Sequence, residues 1–215
     1  MQPDITGPRV NILAAWSPVT TEATVEHRSV DYNIISETSM SCPHISAVAA
    51  IIKSYHPTWT PAAIMSAIMT TEIQMELKPR HSTTDPDTNG ASPSQLKNIT
   101  GELTQCQKTP TPSYNFNYPS IGVSNLNGSL SIYRTVTFYG QEPAVYVASV
   151  ENPFGVNVTV TPMALKFWKT GEKLTFRVDF NPFVNSNGNF VFGALTWKNG
   201  KQRVRSPIGV NVVSL

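Results

Sequence analysis

The chain has 215 residues and 40% apolar content, enough for a packed core in one large domain or two small ones. Its longest apolar run falls far short of the roughly 18 residues of a membrane-crossing helix, and its net charge of +2 comes from scattered Lys and Arg. Composition therefore excludes a helical membrane span and gives no footprint for nucleic acid or an acidic membrane surface. Charged residues are only 14%, against about 25% in typical soluble domains. A surface so poor in charge must stay hydrated through hydroxyls, amides or attached glycans. No pair of His or Cys residues has metal-ligand spacing, so neither a metal nor another cofactor is expected.

In chain order, residues 9–16 and 30–35 are short β-branched or apolar runs, predicted as strands of a parallel sheet although too few to form one alone. The second run leads into Ser36-Glu37-Thr38-Ser39-Met40-Ser41-Cys42-Pro43-His44, a tight turn with small hydroxyl residues opening a helix. A nucleophilic hydroxyl at such a junction lies beside the free N–H groups and the favourable dipole of the helix start, which suits a developing oxyanion. Ser39 is the candidate nucleophile, with Thr38 and Ser39 forming the oxyanion turn. The alternative is that Thr38, Ser39 and Ser41 are only N-cap residues.

From Ser41 the apolar spacing is helical, through Ile45, Val48, Ala49, Ile52 and Tyr55, with Pro43 tolerated in the first turn. Ala47, Ala50 and Ile51 fill the other faces, so the helix is predicted to be buried on every side, with Cys42 as a small hydrophobe on it. Pro57 ends it, and Thr60-Pro61 starts a second helix with Ile64, Ala67, Ile68 and Thr71 on one face. Residues 78 to about 113 lack periodicity and are rich in Pro, Thr, Ser, Asp and Asn, the composition of a linker.

After Tyr114 the period becomes two. Leu130/Ile132, Val156/Val158/Val160, Leu174/Phe176/Val178/Phe180 and Ile208/Val210/Val212 each place apolar residues on one face. Lys198-Asn199-Gly200-Lys201 carries the Asn-Gly signal of a hairpin. About seven strands over roughly 100 residues predict a β-sandwich, the part expected to fold by itself. Asn98-Ile99-Thr100, Asn127-Gly128-Ser129 and Asn157-Val158-Thr159 are glycosylation acceptors, which make sense in a secreted chain. Met1-Gln2-Pro3-Asp4 has neither the basic start nor the apolar core of a signal peptide, so an N-terminal part is expected to be missing.

Thr38 to His44 closely resembles the active-serine segment of the plant subtilisin-like serine proteases, or subtilases. Pro3-Asp4-Ile5-Thr6 and Val10 to Trp16 resemble that family's strand before the serine; His56 to Ile64 and Ser66 to Thr71 resemble its following helix. Asn117-Tyr118-Pro119-Ser120-Ile121, Arg134-Thr135-Val136-Thr137 and Gly193 to Ile208 resemble its C-terminal fibronectin type III-like domain. The resemblance implies an α/β remnant of a doubly wound parallel sheet over residues 1–78, a linker over 79–112, and an all-β fibronectin type III-like sandwich over 113–215. It also implies that Cys106 is half of a disulfide whose partner is not found here, leaving Cys106 unpaired, and that a Gly-rich block before the sandwich is deleted. An extracellular location follows from the family together with the three acceptors.

For function, the resemblance implies peptide-bond hydrolysis through Ser39, acting on peptide or protein substrates. Acyl transfer by a serine also needs a general base, a carboxylate to orient it, and oxyanion donors. In the family the Asp, the His and the oxyanion Asn precede the serine, and none of these motifs is visible here. None of His27, His44, His56 and His81 is followed by Gly-Thr as the family's catalytic His is. His44 lies five residues beyond Ser39, rotated about 140° around a helix, and reads as structural. Asp87-Thr88-Asn89 reads as a turn. Glu37 and Arg9 stand where the family has Gly. A side chain at position 37 is expected to cost about 1–2 kcal/mol if the backbone there is left-handed, and its carboxylate to repel an oxyanion. The chain alone is thus expected to be inactive. The alternative function is a non-catalytic, glycosylated β-sandwich that binds a protein partner and carries a protease remnant.

Overall fold

A computed structural model describes residues 4–17, 31–71, 112–200 and 202–215. Period-two patterning in the C-terminal half forms eight strands where about seven were predicted: β3 (Ile121–Asn127), β4 (Leu130–Thr137), β5 (Ala144–Glu151), β6 (Val156–Thr161), β7 (Ala164–Phe167), β8 (Lys173–Pro182), β9 (Val191–Asn199) and β10 (Gln202–Ser214). They make a five-stranded sheet, β3-β10-β9-β5-β7, and a three-stranded sheet, β4-β8-β6. β10 runs parallel to β3 and antiparallel to β9. The apolar residues of the pattern face inward: Ile132, Val178, Phe180, Ile208, Val210 and Val212 are fully buried, and Val156, Val158, Val160 and Phe176 nearly so. Ring contacts between Phe176 and Trp197 and among Phe138, Tyr146 and Phe167 add to this core. At the β9–β10 hairpin Asn199 faces Gln202, and Gly200 supplies the positive φ, 54°, that such a turn requires.

The N-terminal part departs from expectation in three ways. Its two strands, β1 (Ile12–Ala15) and β2 (Tyr32–Ile35), are shorter than predicted and pair antiparallel, Ile12 opposite Ile35 and Ala15 opposite Tyr32. The parallel sheet is therefore corrected: with no third described strand beside them, the two satisfy each other's backbone in the antiparallel ladder, the more stable of the two per residue. The first helix, α1 (Thr38–Tyr55), begins three residues earlier than predicted, which moves Pro43 beyond the first turn. And α1 buries none of its residues: Val48, Ile51 and Tyr55 are exposed, and so is Cys42, which was predicted to be buried. Among the described residues, α2 and the N-terminal segment around Ile5 and Gly7 lie against α1, and they leave every residue of the helix at least partly exposed.

The second helix, α2 (Pro61–Thr71), starts as predicted, with Thr60 Oγ1 accepting the Ala63 N–H at 3.2 Å. It buries Ile64, Met69 and Thr70, whereas Thr71 is exposed, and it packs against β10. Between α1 and α2 lies an apolar cavity of about 570 Å³, lined among others by Ile5, Ile45, Ala49, Trp59 and Ile68.

Candidate active site

Strand β2 delivers the chain into Ser36 and Glu37, and α1 begins at Thr38. Asn11, at the start of β1 with φ 53°, fastens the junction: its N–H donates to Ser36 Oγ at 2.8 Å, and that hydroxyl donates to Asn11 Oδ1 at 3.3 Å. Ser41 Oγ donates to the Gly7 carbonyl at 3.0 Å, tying the N-terminal loop to the first turn of α1. A Cβ at Gly7 would stand 3.3 Å from that turn's Ser41 carbonyl and from Ile45 Cδ1, so the approach suits glycine.

Glu37 occupies the N-cap position but makes no side-chain cap. Its backbone is extended, with φ −147° and ψ 160°, so the strain expected of a non-glycine residue here does not arise. Instead its carboxylate accepts the Ser39 hydroxyl, Oγ to Oε2 at 2.9 Å. The Thr38 and Ser39 N–H groups lie in the first helical turn, where no intrahelical acceptor exists. Serine hydroxyl, first-turn donors and a carboxylate thus converge at one exposed helix start.

No imidazole joins them among the described residues. His44 Nδ1 lies 2.7 Å from the Met40 carbonyl one turn back on α1. His56 stacks on Trp59, with ring centroids 4.1 Å apart. His27, His81, Asp87, the acceptor Asn98 and Cys106 lie outside the described residues. Asn127 and Asn157 are both exposed, one at the end of β3 and the other on β6. Among the described residues no group of His, Cys, Asp and Glu is arranged to hold a metal ion.

Three residues within the quoted motifs take roles that residue type alone did not reveal. Asn117 clamps the edge of β4 with two bonds of 2.8 Å, donating to the Thr135 carbonyl and accepting the Thr135 N–H. Tyr118 donates its hydroxyl to Asp4, joining the N-terminal segment to the sandwich, and the Asp4 carboxylate holds the phenol above its ordinary pKa. Arg134 is buried on the inner side of β4; its Nη1 donates to the Tyr133 carbonyl while its Nε has no partner, and desolvation lowers its pKa. The pairing of Asn117-Tyr118 with Arg134-Thr135 was visible as two motifs, but not as one joint.

Comparison with known proteins matches residues 1–102 to the Subtilase family and residues 115–210 to a fibronectin type III domain family. The subtilisin-like serine-protease S of Lotus japonicus is 65% identical over 246 aligned positions, covering 97% of this chain and 32% of that protein. A CO(2)-response secreted protease of Arabidopsis thaliana is 40% identical, covering 98% of this chain and 33% of its own length. The chain thus spans about a third of the curated relatives it matches, and the Lotus alignment is longer than the chain, so stretches of that relative have no counterpart here. Among solved structures, an MSP-domain protein of Caenorhabditis elegans overlaps 43% of the chain with a TM-score of 0.33 and 9% identity. By its sequence matches the chain is a homologue of the plant subtilisin-like serine proteases, with Subtilase-family sequence at residues 1–102 and a fibronectin type III domain at residues 115–210.

Proposed function

We propose that this chain carries the serine-bearing segment of a subtilisin-like endopeptidase, with Ser39 as its nucleophile position, and that these 215 residues alone do not hydrolyse peptide bonds. The observation that carries this reading is the partner of Ser39: its hydroxyl donates to the Glu37 carboxylate, while His44 and His56 are engaged elsewhere. In acyl transfer Ser39 Oγ would form the bond to the substrate carbonyl carbon as a base takes its proton, and the first-turn N–H groups would receive the oxyanion. Glu37 works against the last step, because its carboxylate lies 2.9 Å from Ser39 Oγ at the same helix start, and a negative charge there repels a second one and offsets the helix dipole. Among the described residues no imidazole stands beside Ser39, so peptide hydrolysis requires a general base, a carboxylate to orient it and a further oxyanion donor beyond those residues, as well as displacement of Glu37.

The test is exposure of the purified 215-residue chain to a fluorophosphonate probe and to an unstructured protein substrate, followed by peptide mass mapping. No labelling of Ser39 and no cleavage is the expected result. Stoichiometric labelling at Ser39 overturns it.

A second reading, the sandwich as a glycosylated module that binds another protein outside the cell, is favoured by one contrast. The sandwich closes its own core, whereas α1 buries nothing. The same reading assigns glycans to the acceptors Asn98, Asn127 and Asn157.

A further inference from the structure

The outer face of the three-stranded sheet is polar along most of its length. Thr135 bonds Thr175, Ser131 bonds Asp179, Arg177 pairs with Asp179 at 2.9 Å, and Ser129 donates to Asn181 at 2.9 Å. At one end this changes. Asn157 stands opposite Asn181 in the β6–β8 register, and both are exposed. Three residues before Asn157, Phe154 is 76% exposed; two residues beyond Asn181, Phe183 is 64% exposed.

The turn that carries Phe154 is held firmly. The Phe183 and Val184 N–H groups both donate to the Gly155 carbonyl, at 2.8 and 3.2 Å. Gly155 has φ 75°, and a Cβ there would lie 2.6 Å from Val184 Cβ, so only glycine fits. Two large aromatic side chains in water, one in this turn and one just past β8, forfeit their burial energy; Phe154 lies three residues before the acceptor of Asn157-Val158-Thr159, and Phe183 two residues beyond its ladder partner Asn181.

We infer that Asn157 carries an N-linked glycan whose first N-acetylglucosamine lies over Phe154, flanked by Phe183. This deepens the extracellular reading above and rests on it. The Asn157 side-chain nitrogen forms the bond to C1 of the sugar as the C1–O bond to a lipid-linked pyrophosphate donor breaks, and the amide proton leaves with that donor's pyrophosphate. The C–H face and N-acetyl methyl of the sugar are apolar and match the exposed rings. Because the sugar is tethered three residues away, little further translational freedom is lost when it settles. Asn127 is the internal control: Ser124 holds the position three before it, and no aromatic residue precedes it in β3.

The test is the full chain expressed behind an export leader in plant cells, with glycopeptide mass spectrometry and thermal unfolding of four forms: unsubstituted, Asn157→Gln, Phe154→Ser, and both together. Asn157 is expected to be occupied. Asn157→Gln is expected to lower Tm by about 4 °C where Phe154 is present, and by less than about 1 °C where it is Ser. Equal losses in the two backgrounds overturn the packing. An empty Asn157 beside an occupied Asn98 or Asn127 overturns the site, while three empty acceptors overturn it together with the extracellular reading.

Discussion

Tyr118 is where the two ends of the molecule meet, through its hydroxyl on Asp4 and a contact of 3.9 Å with Met65 of α2. Asp4, by accepting the hydroxyl, makes the folded state hold the phenolic proton more tightly than the ordinary value near 10. The sign of the effect on stability follows. With the folded pKa raised, the bond contributes fully below about pH 10 and its contribution is lost as pH rises through the raised folded value. Tyr118→Phe is therefore expected to be less stable than the unsubstituted chain at pH 8, with the gap closing as the pH climbs past 10. Urea unfolding of both forms at a series of pH values measures it; a gap that stays constant to pH 11 would show that the hydroxyl does not anchor the two parts.

At the scale of elements, α1 is the instructive case. Its sequence is apolar on every face, and periodicity correctly places a helix there, but burial depends on neighbours that a single helix cannot specify. The same limit explains the strands before it. Short apolar runs predict strands, yet whether two strands lie parallel or antiparallel is decided by what else joins the sheet, and among the described residues β1 and β2 pair with each other alone. In the sandwich, by contrast, each strand writes its inner face into its own alternation, so the buried residues of β6, β8 and β10 could be read directly. The serine turn lies between these extremes. Its position was legible from hydroxyls before a helix, whereas the bond from Ser39 to Glu37 depends on a backbone angle that the residue types did not reveal. Because Ile51 is exposed, Ile51→Lys is expected to shift stability by no more than about 0.5 kcal/mol and to reduce light scattering on concentration. Loss of several kcal/mol would mean that this face is covered.

For the whole molecule, stability is concentrated in one place. The sandwich holds a continuous core from Ile121 to Val212, while among the described residues the N-terminal part contributes Ile64 and Met69 to the buried apolar set. Unfolding free energy follows buried apolar contacts, and segments with few of them open at little cost. The N-terminal part is attached to the sandwich by α2 against β10, by the Tyr118–Asp4 bond and by the contact of Trp59 with Tyr139, all on the surface of a core that is already closed. Limited proteolysis of the native chain is therefore expected to remove residues 1–71 first and to leave a resistant piece that begins near Ser113. Phe180→Ala, which empties a fully buried position, is expected to cost about 3–5 kcal/mol and to abolish that resistance. Uniform protection of residues 1–71 would overturn this order, because it would require the serine-bearing segment to draw its stability from contacts as extensive as those of the sandwich. Under that outcome Ser39 would sit on a firm scaffold, and the Glu37 carboxylate would become the feature of the turn to alter first.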